Sequence, residues 1–321
     1  MGSVADQPSE EAHRLLQATI WAHRAPHARV VAVEPRPIGS GMSGAPIRRY
    51  HVIVDPPSLA PDGLSLVIKE AGLVERRVLA LLQTQGQPNV PFSHSEDLTT
   101  DGPALVCLQD LGTSHRPSSL DPITPEEVRR EAHGLALIHQ ANRGHTDDLA
   151  WLPRADRAYV ARNIMDIFWK PAWDAVRADP AFAHQFGPYI DGVEDAAAQI
   201  AGAMEALTDD EATGTLIHAD LNPSNVLLHA GVPYFIDWQA ACYGSFYLDL
   251  PHHLHTLDRA ELYRAARVAL GDTIPATEFA ARFHIAARYI GLRYMWWTLA
   301  AWRDDHTATP WVYHYLNMVV P

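Results

Sequence analysis

Charged and polar residues interrupt two otherwise apolar stretches of this chain. LIHADLNPSNVLL (216–228) carries His218, Asp220 and Asn225, and YFIDWQAACYGSFYLDL (234–250) carries Asp237 and Asp249. Proteins avoid burying such groups without partners, so their placement points to chemistry. Asp220 and Asn225 flank Pro223, which makes their segment a tight loop and not a strand. A carboxylate there can take the proton of an attacking hydroxyl. The Asn225 amide oxygen is a hard neutral ligand of the kind Mg²⁺ accepts, and Asp237 supplies an anionic one. Phosphoryl transfer asks little else of a protein beyond cations on the phosphates and an aligned nucleophile.

Upstream, Gly39-Ser40-Gly41-Met42-Ser43-Gly44 fits G-x-G-x-x-G. A dinucleotide-binding turn would lead directly into a helix, whereas APIRRYHVIV follows here, with a proline and then strand formers. A Walker A loop needs Gly-Lys-Ser/Thr, and Ala45-Pro46 stand in that place. A glycine hairpin covering phosphates remains, beside the plain alternative of a flexible turn. Only two of the 25 basic residues are lysines, Lys69 and Lys170. A lysine in the strand-like SLVIKEA (65–71) therefore marks a place for a compact ammonium group. Glu75, early in the following helical segment, is its candidate partner, or else a solvated helix-face charge. Glu70 is adjacent to Lys69 on the strand and points to the opposite face.

These residues need elements to hold them. Short extended runs separated by turns fill residues 28 to 110, with one helical pattern at 73–85. Thr124-Pro125-Glu126-Glu127 then reads as a capping box, opening a helix with Val128, Ala132, Leu135 and Ile138 on one face. Helical patterns dominate thereafter. The expectation is an α+β protein of two lobes: a small β-rich N-lobe (1–110) with one helix and a larger, mainly helical C-lobe (111–321). A chain of 321 residues is long enough for two such cores.

Composition narrows the partners. A formal charge of −13 argues against nucleic acid. Most of the excess negative charge lies in the C-terminal part, which favours solubility or a cationic small molecule. Cys107 and Cys242 sit in apolar runs and read as reduced core residues of a cytoplasmic protein. The N-terminus has no signal-peptide pattern. YIGLRYMWWTLAAW (289–302) is broken by Arg293 and is too short to span a bilayer, so no membrane association is expected. His252, His253 and His255 lie close together, but no third metal ligand is evident beside the His252/His255 pair, so they read as solvated or core-edge histidines. Trp296, Trp297, Trp302 and Trp311 read mainly as core.

Together GSGMSG, VIKE, LVCLQDLG, LIHADLNPSNVLL and FIDWQAACYGSFYLDL give the chain, over roughly 30–255, a resemblance to the aminoglycoside phosphotransferase and choline kinase-like family. That resemblance implies a protein-kinase-like fold and an ATP- or GTP-dependent, Mg²⁺-requiring transfer to a small-molecule hydroxyl. It implies Asp220 as catalytic base and Asn225 and Asp237 as metal ligands. Gly39, Ser40, Gly41 and Gly44 would cover the nucleotide phosphates, with Lys69 and Glu75 fixing them. The backbone at Gln109 and Leu111 would meet adenine, and His218 and Asp249 would support the catalytic loop. Ala219 replaces the arginine of the protein-kinase H-R-D, and Trp238-Gln239 replace Phe-Gly after the metal aspartate. Asp237 and Asp249 lie too close in sequence for a peptide-docking segment, so the acceptor should be small. An antibiotic is the first expectation for it, with choline, homoserine or a sugar as the metabolic alternative. A nucleotide-binding pseudokinase is the non-catalytic rival.

Overall fold

The computed structural model describes residues 8–37, 47–56, 63–112 and 124–321. Gly39, Ser40, Gly41 and Gly44 lie outside them. The chain opens with α1 (Glu10–His23), β1 (Arg29–Pro37), β2 (Arg48–Asp55), β3 (Leu64–Ala71), α2 (Leu73–Thr84), β4 (Ser93–His94) and β5 (Ala104–Gln109). There follow α3 (Pro125–Ala141), α4 (Arg157–Arg162), α5 (Trp169–Val176), α6 (Pro180–Ala203), α7 (Glu205–Thr208) and β6 (Gly214–Ile217). The rest comprises β7 (Val226–His229), β8 (Val232–Phe235), β9 (Cys242–Ser245), α8 (Leu250–Leu254), α9 (Leu257–Ala269), α10 (Ala276–Asp305) and α11 (Thr309–Val319). Two compact units result. One is Met1–Pro117 with Ser224–Ala241, and the other is Ser118–Pro223 with Cys242–Pro321.

The first unit is built on an antiparallel sheet of order β1-β2-β3-β5-β4. Alternation sets its faces: Tyr50, Val52, Val54, Leu66 and Ile68 point to one side and are buried there. Ala12, Leu15, Leu16 and Ile20 of α1 join the same core. This helix adds to the single one expected at 73–85. Ser9 caps it by accepting from Ala12 N, and its apolar residues recur at helical spacing. The expected helix is α2. Arg76 anchors it, fully buried, by donating to the carbonyls of Ala71, Asp97, Thr100 and Gly102. The hairpin β7–β8 joins this unit through Asn89, which accepts from Phe235 N (2.8 Å) and donates to Pro233 O (2.9 Å).

The second unit is mainly helical. The Thr124 capping box is present as read, with Pro125 in the first turn, and Val128, Ala132, Leu135 and Ile138 are all buried. The 30-residue α10 packs against α5, α6, α8, α9 and α11 and forms the unit's central rod. Strands β6 and β9 pair antiparallel, Ile217 opposite Cys242. His252 and His253 are buried and not solvated: His252 Nε2 meets the Tyr315 hydroxyl (3.1 Å) and His253 Nε2 meets Glu131 (2.9 Å). Among the described residues no cluster of three or more His, Cys, Asp or Glu side chains is placed to hold a metal. Nor is any helix among them long and apolar enough to cross a membrane. Cys107 and Cys242 are free thiols, and burial pushes both up to about 12, so neither is a thiolate near neutrality.

Two outcomes follow from this packing. Arg76→Met leaves several loop carbonyls without their donor and is expected to lower unfolding stability by about 3 kcal/mol, read from urea midpoints. Burial also holds His139, His252 and His255 below the ordinary histidine value, His255 at about 4. Their contribution to stability is complete above about pH 6.5, where the unfolded chain is also neutral. It is lost as pH falls toward the folded values, because only the unfolded state takes up protons readily. Thermal melts should therefore show Tm dropping between pH 7 and pH 5, with a smaller drop in His252→Gln.

Candidate active site

Lys69 projects from β3, where it pairs with Val106 of β5. Its Nζ lies 2.8 Å from Glu75 Oε1, in the first turn of α2, and 3.1 Å from Asp237 Oδ1. Glu70 is exposed, as alternation along the strand requires. The Glu75 side chain is only 3% exposed, so it is not a solvated helix charge. Burial works against the Lys69 charge, but the carboxylates of Glu75 and Asp237 and their hydrogen bonds outweigh it. They hold the ammonium above its ordinary pKa. The contribution of Lys69 to stability is thus present below about pH 10.5 and lost only as pH rises through its raised value.

Asp237 and Asn225 come together through the β7–β8 hairpin. Val226 pairs with Phe235, and the next step of the ladder is Ile236 N donating to Asn225 O at 3.0 Å. Asp237 follows directly, in a left-handed conformation with φ 67° and ψ 59°. That region is sparsely used by residues other than Gly, Asn and Asp. It ends the strand and turns the carboxylate away from the ladder, leaving it 36% exposed beside Lys69. Trp238, fully buried in the turn after it, anchors the bend by donating to Phe235 O (3.1 Å). The donor set of Asn225 and Asp237 is two oxygens, one of them anionic. This suits Mg²⁺, which keeps waters and substrate phosphates in its remaining positions.

At the end of β5, the Gln109 N–H is bonded to Phe92 O (2.9 Å) and the Asp110 N–H to Ser65 O (3.3 Å). Leu111 is buried. The Asp110 carboxylate braces this segment by accepting from the Ser65 hydroxyl (2.5 Å), Arg49 (3.0 Å) and Gly112 N (3.0 Å).

His218, Asp220 and Asp249 lie in the second unit. Asp249, 1% exposed, accepts from His218 N through Oδ2 (2.7 Å) and from Ala219 N through Oδ1 (2.8 Å). His139 Nε2, from α3, is 3.2 Å from Oδ2. Burial pushes this carboxyl up. The His139 hydrogen bond and charge, with the nearby His218 and the backbone bond, more than compensate, and its pKa ends below the ordinary value. Its stabilising effect is present above about pH 3.8 and lost as pH falls through the depressed value. His218 is fully buried, and its Nδ1 accepts from Asp220 N (3.3 Å). The turn is tight: Ala219 has φ 60°, and Asn222 N donates to Asp220 O at 2.9 Å.

Three groups at this turn escaped the sequence reading. His139 reaches Asp249 across 110 residues, and Tyr294 and Arg293 of α10 meet the turn from about 74 residues away. Arg293 did carry a signal, as a lone charge inside the apolar run 289–302.

No curated protein sequence matches the chain. Solved structures resemble it in fold at low identity. A spectinomycin phosphotransferase, crystallised with ADP and spectinomycin, is 13% identical, covering 97% of this chain and 94% of its own at a TM-score of 0.56. A choline kinase from Streptococcus pneumoniae is 14% identical, with coverage of 96% and 98% and a TM-score of 0.53. An aminoglycoside phosphotransferase from Alicyclobacillus acidocaldarius is 20% identical, with coverage of 89% and 86% and a TM-score of 0.54. The fold is that of these small-molecule kinases. The sequence model of the phosphotransferase enzyme family matches residues 69–284, from the β3 lysine into α10, and the chain belongs to that family.

Proposed function

We propose that this phosphotransferase moves the γ-phosphoryl group of ATP, or of GTP, to a hydroxyl of a small molecule. The observation that carries the reading is the Lys69 ammonium, held between Glu75 and Asp237 at 2.8 and 3.1 Å. An ammonium so placed serves to bridge nucleotide phosphates, with Glu75 keeping it aimed. Gly39, Ser40, Gly41 and Gly44 complete the proposed phosphate cover. The backbone at Gln109 and Leu111 is the proposed adenine contact; since the Gln109 N–H is engaged, Leu111 is the freer donor to nominate. Asn225 and Asp237 would hold Mg²⁺, which when bound neutralises charge on the phosphates.

Asp220 is the proposed base. Its carboxylate accepts the proton of the acceptor hydroxyl as that oxygen attacks the γ-phosphorus. The new O–P bond forms while the bond to the β-phosphate oxygen breaks, and ADP leaves. His218 and Asp249 serve this step by holding the turn, His218 by accepting from Asp220 N and Asp249 by accepting from Ala219 N. The acceptor we favour is a hydroxylated antibiotic carrying positive charge, in keeping with the chain's net charge of −13. Structural neighbours include both antibiotic and choline kinases, so an amino alcohol is the second reading. A cytoplasmic location suits either acceptor.

ADP release from Mg²⁺-ATP and Mg²⁺-GTP, measured with spectinomycin, kanamycin, choline, ethanolamine, homoserine and a hexose, tests the proposal. At least one acceptor should stimulate release; nucleotide binding without stimulation by any would favour a non-catalytic binding protein. Asp220→Asn should lower kcat by about a thousandfold or more while nucleotide affinity holds. Lys69→Met should instead weaken nucleotide binding, read by titration calorimetry, as well as turnover.

A further inference from the structure

The turn that carries Asp220 is gripped from two directions. Asp249 takes the Ala219 N–H, and α10 meets the Ala219 carbonyl: Arg293 Nη1 donates to it at 2.6 Å, and the Tyr294 hydroxyl oxygen lies 3.3 Å away. The same Tyr294 hydroxyl lies 2.6 Å from Asp220 Oδ1. A phenol has one proton, and the nearer, charged acceptor takes it; a contact of 2.6 Å is what an O–H donor makes to a carboxylate.

Nothing in this arrangement is loose. Tyr294 is 9% exposed, and its ring lies against His252 with centroids 3.8 Å apart. His252 is held in turn by the Tyr315 hydroxyl of α11. The Arg293 guanidinium, also buried, sits 5.2 Å from the Tyr294 ring and 5.6 Å from that of Phe168. Burial keeps the Tyr294 phenol well above its ordinary pKa. Arg293 opposes that shift and Asp220 reinforces it, so the hydroxyl stays a donor at any working pH.

We propose that Tyr294 is a positioning residue for phosphoryl transfer: its hydroxyl fixes the rotation of the Asp220 carboxylate, so that the oxygen that takes the acceptor proton faces the acceptor before it binds. The inference rests on the reading of Asp220 as the base. A carboxylate rotates easily about Cβ–Cγ, and proton transfer demands that one oxygen lie within hydrogen-bond reach of the hydroxyl. Locking one oxygen by a buried, rigid donor removes that freedom in advance, as preorganisation requires. Arg293 does the companion task on the backbone, holding the Ala219 carbonyl and so the turn itself.

The test compares Tyr294→Phe with Asp220→Asn and with the double variant. ADP release is followed from Mg²⁺-ATP with water alone, and with whichever of spectinomycin, kanamycin, choline or ethanolamine accelerates it. Tyr294→Phe removes one oxygen atom and leaves the ring on His252. Its kcat should fall about tenfold to a hundredfold with KM for ATP within about twofold and Tm within a few degrees. Added to Asp220→Asn, it should change nothing further. Full kcat in Tyr294→Phe with an inactive Asp220→Asn overturns the role of Tyr294 and leaves the base in place. An active Asp220→Asn, or wild-type protein that releases no ADP in any assay, removes the base and this inference with it. Parallel losses of Tm, kcat and ATP affinity would mark a purely structural residue and also overturn it. If the phenylalanine variant does not fold, difluorotyrosine in place of Tyr294 keeps the packing and alters only the donor: a changed kcat at constant KM supports the role, and an unchanged kcat refutes it.

Discussion

A carboxylate withdrawn from water survives as an anion only where donors surround it, and Asp249 meets that condition at 1% exposure with two backbone N–H groups and His139. Satisfying it dictates much of the second unit. The two N–H groups must come from the same turn, so His218 and Ala219 are drawn to one carboxylate and Ala219 is driven into a positive φ. The third donor must come from α3, which places that helix beside β6. Tyr263 of α9 holds the other nitrogen of His139 at 2.8 Å, and Arg267 donates to the Tyr263 hydroxyl (2.9 Å). Asp272 balances the charge of Arg267 in turn. One buried charge thus recruits a chain of partners from α3, α9 and the turn after α9, each satisfied by the next.

The first unit repeats the principle with the opposite sign. Lys69 is a half-buried cation that needs anions, and Glu75 and Asp237 reach it from a helix and from a hairpin. Arg76, the next residue of α2 after Glu75, fixes the helix by binding carbonyls, so the carboxylate beside it has no freedom to drift. Asn89 does the same for the hairpin that presents Asp237. Rigid presentation of this kind is what a site for charged phosphates needs, since donors and charges aimed in advance need no reorganisation when the substrate arrives.

Some of this organisation was readable without coordinates. The Thr124 capping box and the buried face of α3 are local features, set by neighbours three and four residues away. The strand position of Lys69 and the helical start at Glu75 are equally local. Helix α1 was as legible, with Ser9 ahead of Glu10 and Glu11 and with Leu15, Leu16, Thr19 and Ile20 at helical spacing, yet it drew no expectation. His252 and His253 were expected to be solvated or at the core edge. They are buried because Glu131 and Tyr315, more than 60 residues distant along the chain, offer them partners.

By itself the sequence determined which chemistry the chain is equipped for, because the reactive groups and their short spacings in 216–250 are properties of chain order. It also determined the element types, whose periodicities and caps act over a few residues. Tertiary structure alone decided which distant side chain meets which: Tyr294 on Asp220, His139 on Asp249, Asn89 on the Asp237 hairpin. Those pairings follow from how helices and strands pack to bury charge and apolar surface at once. No local rule encodes them, since a hydrogen bond across 74 or 110 residues depends on every element between.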